Sequence, residues 1–522
     1  MSGVRGHTLQ TLLERVREQP GERPFLGVGD ELATGTDFAH QVERLARGLV
    51  ARGFRPGDRL AVHVHRCPEE AVAILAAAVA GGIAVPVNPK LKDDQVAHVL
   101  ADSEPWAVVA SATKLAMLRD PQRVLGGRRL FHADAKPLRG LESEALGACG
   151  QDGNSLPALE PRQPAVLLYT SGSTGLAKGI VQDHRNLVDG ARIVGGYLGL
   201  SPADHVLAVL PFSFDYGLNQ LLGAMYHGAR VTAADWIGLG ELAHLLRTVR
   251  PTGLAGVPSL WHEVCRGVRT GQLTAADGSS LRYVTNSGGR LAVEDIRTLR
   301  ATWPAMDVHS MYGLTEAFRS ATLPPAEVDR HPESFGRAIP EVELLLVDPR
   351  TGAVLEGPAE GELVHAGALV AHGYWRRPEA TAQRFRPDPR GLPGTVVHSG
   401  DLVRRDAAGL LHFVARSDRM LKVSGHRISP DEVAQALDGL PGAGEVAVFG
   451  LPGGPDGDRI VLCVAGTDPT LEARALRQCR SRLPAYMVPD RVCVLPELPH
   501  NANGKVDVVV LAQRMAPCTD NT

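Results

Sequence analysis

Short apolar runs recur along this chain with longer amphipathic stretches between them, and that alternation narrows the fold more than any other feature. Runs such as Arg59-Leu-Ala-Val-His63, Ala165-Val-Leu-Leu-Tyr169, Arg230-Val-Thr232 and Glu343-Leu-Leu-Leu-Val347 predict strands that are buried and largely parallel. The stretches Leu9 to Glu18 and Asp37 to Arg52 read as helices, and strands alternating with helices are the pattern of an α/β protein. The uncharged run Ala71 to Val87 is rich in Ala, contains Gly81-Gly82 and Pro86, and falls short of the ~20 strongly apolar residues a membrane span needs. It reads instead as a buried helix followed by a strand. No internal repeat appears, and 522 residues exceed what one core usually sustains, so more than one domain is expected.

The texture changes between Asp418 and Lys422. A helix opening at Pro430-Asp431-Glu432, strands Glu445 to Phe449 and Arg459 to Cys463, a helix Leu471 to Leu483 and a strand Arg491 to Leu495 then form a compact set. The division expected is 1–417, a linker at 418–422, and a small second domain over 423–522. Charge excludes two classes: 55 Lys+Arg against 58 Asp+Glu leaves −3, so neither a strongly basic nucleic-acid coat nor an acidic tail protein is expected. The seven cysteines are scattered with no CxxC, which fits a reducing cytoplasm rather than a disulfide framework or a zinc site. The first residues carry charges throughout and do not read as a signal peptide.

The strongest local signal is Leu168-Tyr-Thr-Ser-Gly-Ser-Thr-Gly-Leu-Ala-Lys178-Gly179, directly after an apolar strand. Glycines let backbone N–H groups approach a phosphate, hydroxyls donate to it, and lysine supplies charge. Gly172, Gly175 and Lys178 fall at intervals of three, which is not the Walker spacing and argues against a P-loop kinase. Four further segments stand in order behind it: Ser310-Met-Tyr312-Gly-Leu-Thr315-Glu316, His398-Ser-Gly-Asp401, Arg416-Ser-Asp418-Arg-Met-Leu-Lys422-Val-Ser-Gly425 and Asn501-Ala-Asn-Gly-Lys505-Val-Asp507. Five such motifs in register resemble the adenylate-forming superfamily of acyl-CoA synthetases, luciferases and nonribosomal adenylation domains. The resemblance covers nearly the whole chain.

That resemblance implies a large N-terminal domain of distorted sheets and helices and a small mobile C-terminal α+β domain. It also implies a reaction in two steps: a carboxylate attacks the α-phosphate of ATP to give acyl-AMP and pyrophosphate, and a thiol then displaces AMP. Thr170, Ser171, Gly172, Ser173, Thr174, Gly175 and Lys178 are then expected at the phosphates, with Thr315 on the α-phosphate. Glu316 offers the hard oxygen that Mg²⁺ prefers. Asp401 and Arg416 are expected at the ribose, with Tyr312, Gly288 and Gly289 around the adenine. Lys505 is the expected catalytic lysine of the first step. Asp418 and Lys422 fall at the hinge, and Gly425 at the channel for the thiol. A catalytically dead relative would be expected to lose Lys505 or Glu316, and both are present.

The acid is read from Phe214, Asp215, Asn219, Ser287, Met311, Arg319 and Ser320. In amino-acid-activating members the Phe-Asp pair sets a carboxylate against the substrate ammonium, which makes an amino acid the leading expectation. Two alternatives stay open: Asp215 pairs with Arg319, or Asp215 is only a helix N-cap. Met311 in place of a small residue shortens the pocket and favours a small acid. The chain holds no Gly-Gly-x-Ser carrier signature, so a carrier protein with a phosphopantetheine thiol acts in trans, with coenzyme A as the other acceptor.

Overall fold

The computed structural model describes residues 6–19, 23–29, 31–134, 137–138, 140–149, 155–170, 177–236, 238–416, 421–423, 426–452, 458–483, 487–502 and 504–515, the side chains of 422, 426, 427 and 452 excepted. Among these the strands form sheets of nine, seven and six strands, a three-stranded sheet and a two-stranded pair. The first four runs named above are all strands, at Arg59–His63, Pro164–Thr170, Arg230–Ala233 and Val342–Val347. The first three sit in sheets whose central pairings are parallel, with antiparallel pairings toward the ends. The fourth departs from the expectation: the six-stranded sheet is antiparallel throughout, and within Val342–Val347 only Val342, Leu346 and Val347 are buried, the last two in separate apolar clusters as successive strand side chains face opposite ways.

The main core fills the space between the nine- and seven-stranded sheets. Helices Leu9–Arg17, Gly35–Ala51, Pro68–Val79, His184–Tyr197 and Asp215–His227 contribute to one continuous buried cluster with Phe25 and Leu26 of one sheet and Leu60 and Ala84 of the other. Helix Pro68–Val79 is buried from Glu70 to its end, which is why it carries alanines and no polar stripe, and strand Ile83–Pro86 follows it. No helix among the described residues is long and apolar enough to cross a membrane. The six cysteines within the described residues are all free.

The C-terminal part has cores of its own, made only of residues from Leu421 onward. Strands Val446–Pro452, Asp458–Ala465 and Arg491–Leu495 form its sheet, flanked by helices Pro430–Gln435, Leu471–Arg482 and Val508–Met515. The protein is therefore a mixed α/β molecule with a large N-terminal and a smaller C-terminal domain. Asp418 and Gly425, and the side chain of Lys422, lie outside the described residues.

Candidate active site

Strands Pro164–Thr170 and Lys178–Asp183 pair antiparallel with Thr170 opposite Lys178, so the two ends of the hydroxyl-rich segment are side by side. Ser171, Gly172, Ser173, Thr174 and Gly175 of that segment lie outside the described residues. Lys178 Nζ stands 5.3 Å from the centre of the Tyr374 ring. The Tyr374 hydroxyl in turn donates to Glu316 Oε1 at 2.7 Å, and burial followed by the Glu316 charge holds that hydroxyl above the ordinary tyrosine range, so it remains a donor.

Thr315 and Glu316 form the turn between strands Asp307–Leu314 and Phe318–Leu323. The strands close tightly there because Gly313 has no Cβ: one added would strike the Phe318 carbonyl. Gln182 Nε2 donates to the Thr315 carbonyl at 2.6 Å, and the Ala371 N–H to that of Glu316 at 2.9 Å, so the turn is fixed from two sides. No group of three or more His, Cys, Asp or Glu side chains able to hold a metal occurs among the described residues. Glu316 nonetheless suits Mg²⁺, an ion that takes one or two carboxylates and completes its shell with phosphate oxygens and water.

Asp401 and Arg416 sit opposite one another in strands Thr395–Arg405 and Leu411–Arg416, with Arg416 Nε 3.2 Å from Asp401 Oδ1. The Tyr312 hydroxyl donates to Asp401 Oδ2. The Tyr312 ring stacks on Phe335 at 4.6 Å between centroids and on His365 at 5.8 Å. Sequence reasoning missed Phe335, His365 and Tyr374, because nothing local marks an aromatic or a histidine that acts through a distant partner. His365 is buried outright, and burial alone takes its pKa down to about 3, so it packs as a neutral ring.

Gly288 has φ of +85°, a conformation glycine adopts freely, and a Cβ there would lie 3.3 Å from Lys505 Cε. The lysine from the C-terminal domain therefore occupies the space a side chain at 288 would take. Its loop is closed by the Asn501 N–H on the Lys505 carbonyl at 2.7 Å, and by the Lys505 N–H on Asn501 Oδ1 at 3.1 Å. The large domain grips it from both sides: Ser259 Oγ donates to the Gly504 carbonyl at 2.8 Å, and Asn88 Nδ2 to that of Ala502 at 3.2 Å. Gly289 accepts from Asn286 Nδ2 through its carbonyl.

The expected acid pocket is assembled only in part. Asp215 opens helix Asp215–His227 as its first residue, with Phe214 at the N-cap, so the carboxylate is not the cap. Its Oδ2 lies 2.9 Å from Arg319 Nη2, and Oδ1 accepts from Thr315 Oγ1 at 3.2 Å. Asn219, one turn further, is buried on the same helix, as are Ser287 and Met311 nearby. The Tyr197 hydroxyl donates to Met311 Sδ at 2.8 Å, and a cavity of about 30 Å³ bordered by Met311, Tyr216, Asn219 and Thr285 lies beside them. Ser320 does not join this group. Successive side chains of a strand face opposite ways, so Arg319 meets Asp215 while Ser320 turns to His365 Nδ1 at 2.8 Å and the Ala317 carbonyl at 3.2 Å.

Known proteins resemble this chain along most of its length. Residues 12–375 match the model of the AMP-binding enzyme family, and residues 432–505 that of the AMP-binding enzyme C-terminal domain. The chain is 33% identical over 510 residues to an L-proline–[L-prolyl-carrier protein] ligase of Streptomyces coelicolor, covering 94% of this chain and 93% of that protein. It is 28% identical over 510 residues to tyrocidine synthase 3 of Brevibacillus parabrevis, covering 96% of this chain but spanning only 8% of that protein's length. Among solved structures, ATP-bound MatB from Rhodopseudomonas palustris superposes with a TM-score of 0.82 at 25% identity, over 97% of this chain and 99% of that one. A benzoate CoA ligase from Burkholderia xenovorans shares the fold with a TM-score of 0.85 at 23% identity, over 97% and 99% of the two chains.

Proposed function

This chain belongs to the AMP-binding enzyme family, and from that premise we propose that it is an AMP-forming acid–thiol ligase. It activates a small carboxylic acid with ATP and passes the acyl group to the phosphopantetheine thiol of a separate carrier protein. The observation that carries the reading is Lys505, delivered by the small domain onto Gly288 of the large one. An ammonium placed there neutralises a carboxylate as it attacks a negatively charged phosphorus, the main electrostatic difficulty of the first step. Mg²⁺ held by Glu316 supplies charge neutralisation on the phosphates when bound. Thr315 positions the α-phosphate, Thr170 and Lys178 the outer phosphates, and Asp401 with Arg416 the ribose. Tyr312, Gly288 and Gly289 border the adenine.

The division 1–417, 418–422 and 423–522 belongs to the same proposal, with the second domain turning at 418–422 so that a thiol replaces Lys505 at the acyl carbon. A cytoplasmic location fits the free cysteines. The carrier-protein acceptor and an amino-acid substrate draw support from the 33% identity to a prolyl-carrier protein ligase over nearly its whole length. A second reading, a ligase for an acid without an ammonium group that hands its acyl group to coenzyme A, has one observation in its favour: the Asp215–Arg319 ion pair.

Acid-dependent ATP–pyrophosphate exchange, with AMP as the nucleotide product, tests the reaction. ADP formation, or exchange that ignores added acid, overturns it. Thioester assays with a phosphopantetheinylated carrier protein and with coenzyme A then separate the two acceptors.

A further inference from the structure

The acid pocket holds a charge pair whose hydrogen bonds are incomplete. Asp215 and Arg319 are each 2% exposed. Arg319 Nη1 donates to the Phe318 carbonyl at 3.3 Å, and the guanidinium lies 4.5 Å from the centre of the Tyr216 ring. Yet Arg319 Nε and Nη2 and Asp215 Oδ2 have no aligned hydrogen-bond partner among the described residues, although Nη2 and Oδ2 lie at ion-pair distance. Asn219 Oδ1, one turn along the same helix from Asp215, and Ser287 Oγ are buried and equally unsatisfied. Buried polar groups left open in this way are costly unless something fills them.

We infer that the filler is a hydroxyl of the substrate, and that Arg319 is the residue that turns the pocket from amino acids to hydroxy acids. The inference rests on the adenylation reading above. The charge count decides it. Asp215 and Arg319 cancel, and Lys505 answers the reacting carboxylate, so a substrate with no further charge leaves the pocket balanced. An ammonium has to break the pair, and it leaves Arg319 buried beside a second cation. Breaking one half of a buried pair is strongly unfavourable because the other charge stays uncompensated. A hydroxyl meets both halves while remaining neutral: it donates to Asp215 Oδ2 and accepts from the Arg319 N–H groups. An unsubstituted acid leaves all of these groups open. The Tyr197–Met311 contact bounds the space, so the acid is small.

The test is acid-dependent pyrophosphate exchange with two matched trios: lactate, alanine and propionate; and 2-hydroxy-4-methylpentanoate, leucine and 4-methylpentanoate. The wild type is expected to turn over the hydroxy member with kcat/KM about tenfold or more above its amino partner, the scale on which a site built for one polar group rejects a mismatch. Arg319→Leu frees Asp215 and is expected to reverse the order in favour of the amino acid. Should that variant fail to fold, Asp215→Asn decides in its place: the inference expects the hydroxy member of each trio to lose most and the unsubstituted acid least, because only the hydroxyl bonds to Asp215. A loss confined to the amino acid overturns it. Exchange led by alanine or leucine in the wild type overturns the hydroxy-acid inference and leaves adenylation standing. No exchange with any of the six acids counts against both.

Discussion

The two domains supply the site in opposite ways. The large domain builds its share from cross-linked side chains: Thr315, Asp401 and Asp215 are buried and Glu316 half-buried, and each makes a hydrogen bond to, or an ion pair with, another described side chain. The small domain supplies one lysine, an exposed residue on a loop whose Gly504 and Ala502 carbonyls accept from Ser259 and Asn88 of the large domain. A group that must stay fixed through both steps is worth locking into a core. One that must leave between steps is better held by a few bonds that break at low cost. The contrast is what a two-step reaction in one pocket demands.

The sharpest way to break this comparison is to remove the movable group alone. Lys505→Ala is expected to lower acid-dependent pyrophosphate exchange by about a hundredfold or more, the effect of deleting one donor aimed at developing charge. Thioester formation from supplied acyl-adenylate should survive. Equal loss of both steps shows that the lysine is not specific to the first.

Acid separates the domains by stability. His63, His184, His309 and His365 of the large domain are buried, and burial lowers each pKa to about 4, or about 3 for His365, from the ordinary 6.5. The unfolded chain takes up these protons first as pH falls below about 6.5, so the large domain loses stability toward pH 4, with each histidine costing on the order of 1–3 kcal/mol once the fall is complete. In the small domain His500 is shifted the other way, chiefly by its hydrogen bond to Glu445. Its contribution is fully present below about 6.5 and is lost only as pH rises through its raised folded pKa. All five tryptophans lie before residue 376, so their fluorescence follows the large domain. The tryptophan-monitored Tm is expected to fall between pH 7 and pH 5. An unchanged Tm shows these histidines are not buried neutral.

Within the large domain, Tyr374 is expected to act only through Glu316. Tyr374→Phe keeps the ring beneath Lys178 and removes the donor, and should raise the Mg²⁺ needed for half-maximal exchange by about tenfold, the lower end for losing a group that orients a metal ligand. Mg²⁺-dependent ATP binding by calorimetry gives the same answer without turnover. Glu316→Gln should raise the same requirement further, and an unchanged Mg²⁺ dependence removes Glu316 from the metal site.

Most of the strands and the motif order were legible in the sequence because short apolar runs and glycine-lysine loops carry their meaning locally. The antiparallel character of the six-stranded sheet was not, since pairing direction depends on partners distant in the chain. The site divides in the same way. Thr315, Glu316, Asp401, Arg416 and Lys505 stand in recognisable segments, and Asp401 faces Arg416 across two paired strands. Tyr374, Phe335 and His365 reach the site from segments with no signal of their own. Ser320 was expected in the acid pocket, and strand alternation turns its hydroxyl to His365. Asp215 was legible as a buried carboxylate in need of a cation, and the structure brings Arg319 to it.

The smallest expected effect tests the docking itself. Arg290 Nη2 reaches Asp438 Oδ2 at 2.7 Å, an ion pair between the domains with the two side chains 26% and 40% exposed. A pair so open to solvent is worth at most about 1 kcal/mol, or roughly fivefold, and is weakened by salt. If it serves only the orientation that presents Lys505, Arg290→Gln should slow pyrophosphate exchange by about two- to fivefold and leave thioester formation unchanged. Raising salt should slow the wild type toward the variant while barely affecting the variant. The reversed pair, Arg290→Asp with Asp438→Arg, should recover most of the rate, because the charges meet at the same distance with their signs exchanged. Equal slowing of both half-reactions, or no recovery in the reversed pair, shows that the contact supports the fold of one domain rather than the docking of the two.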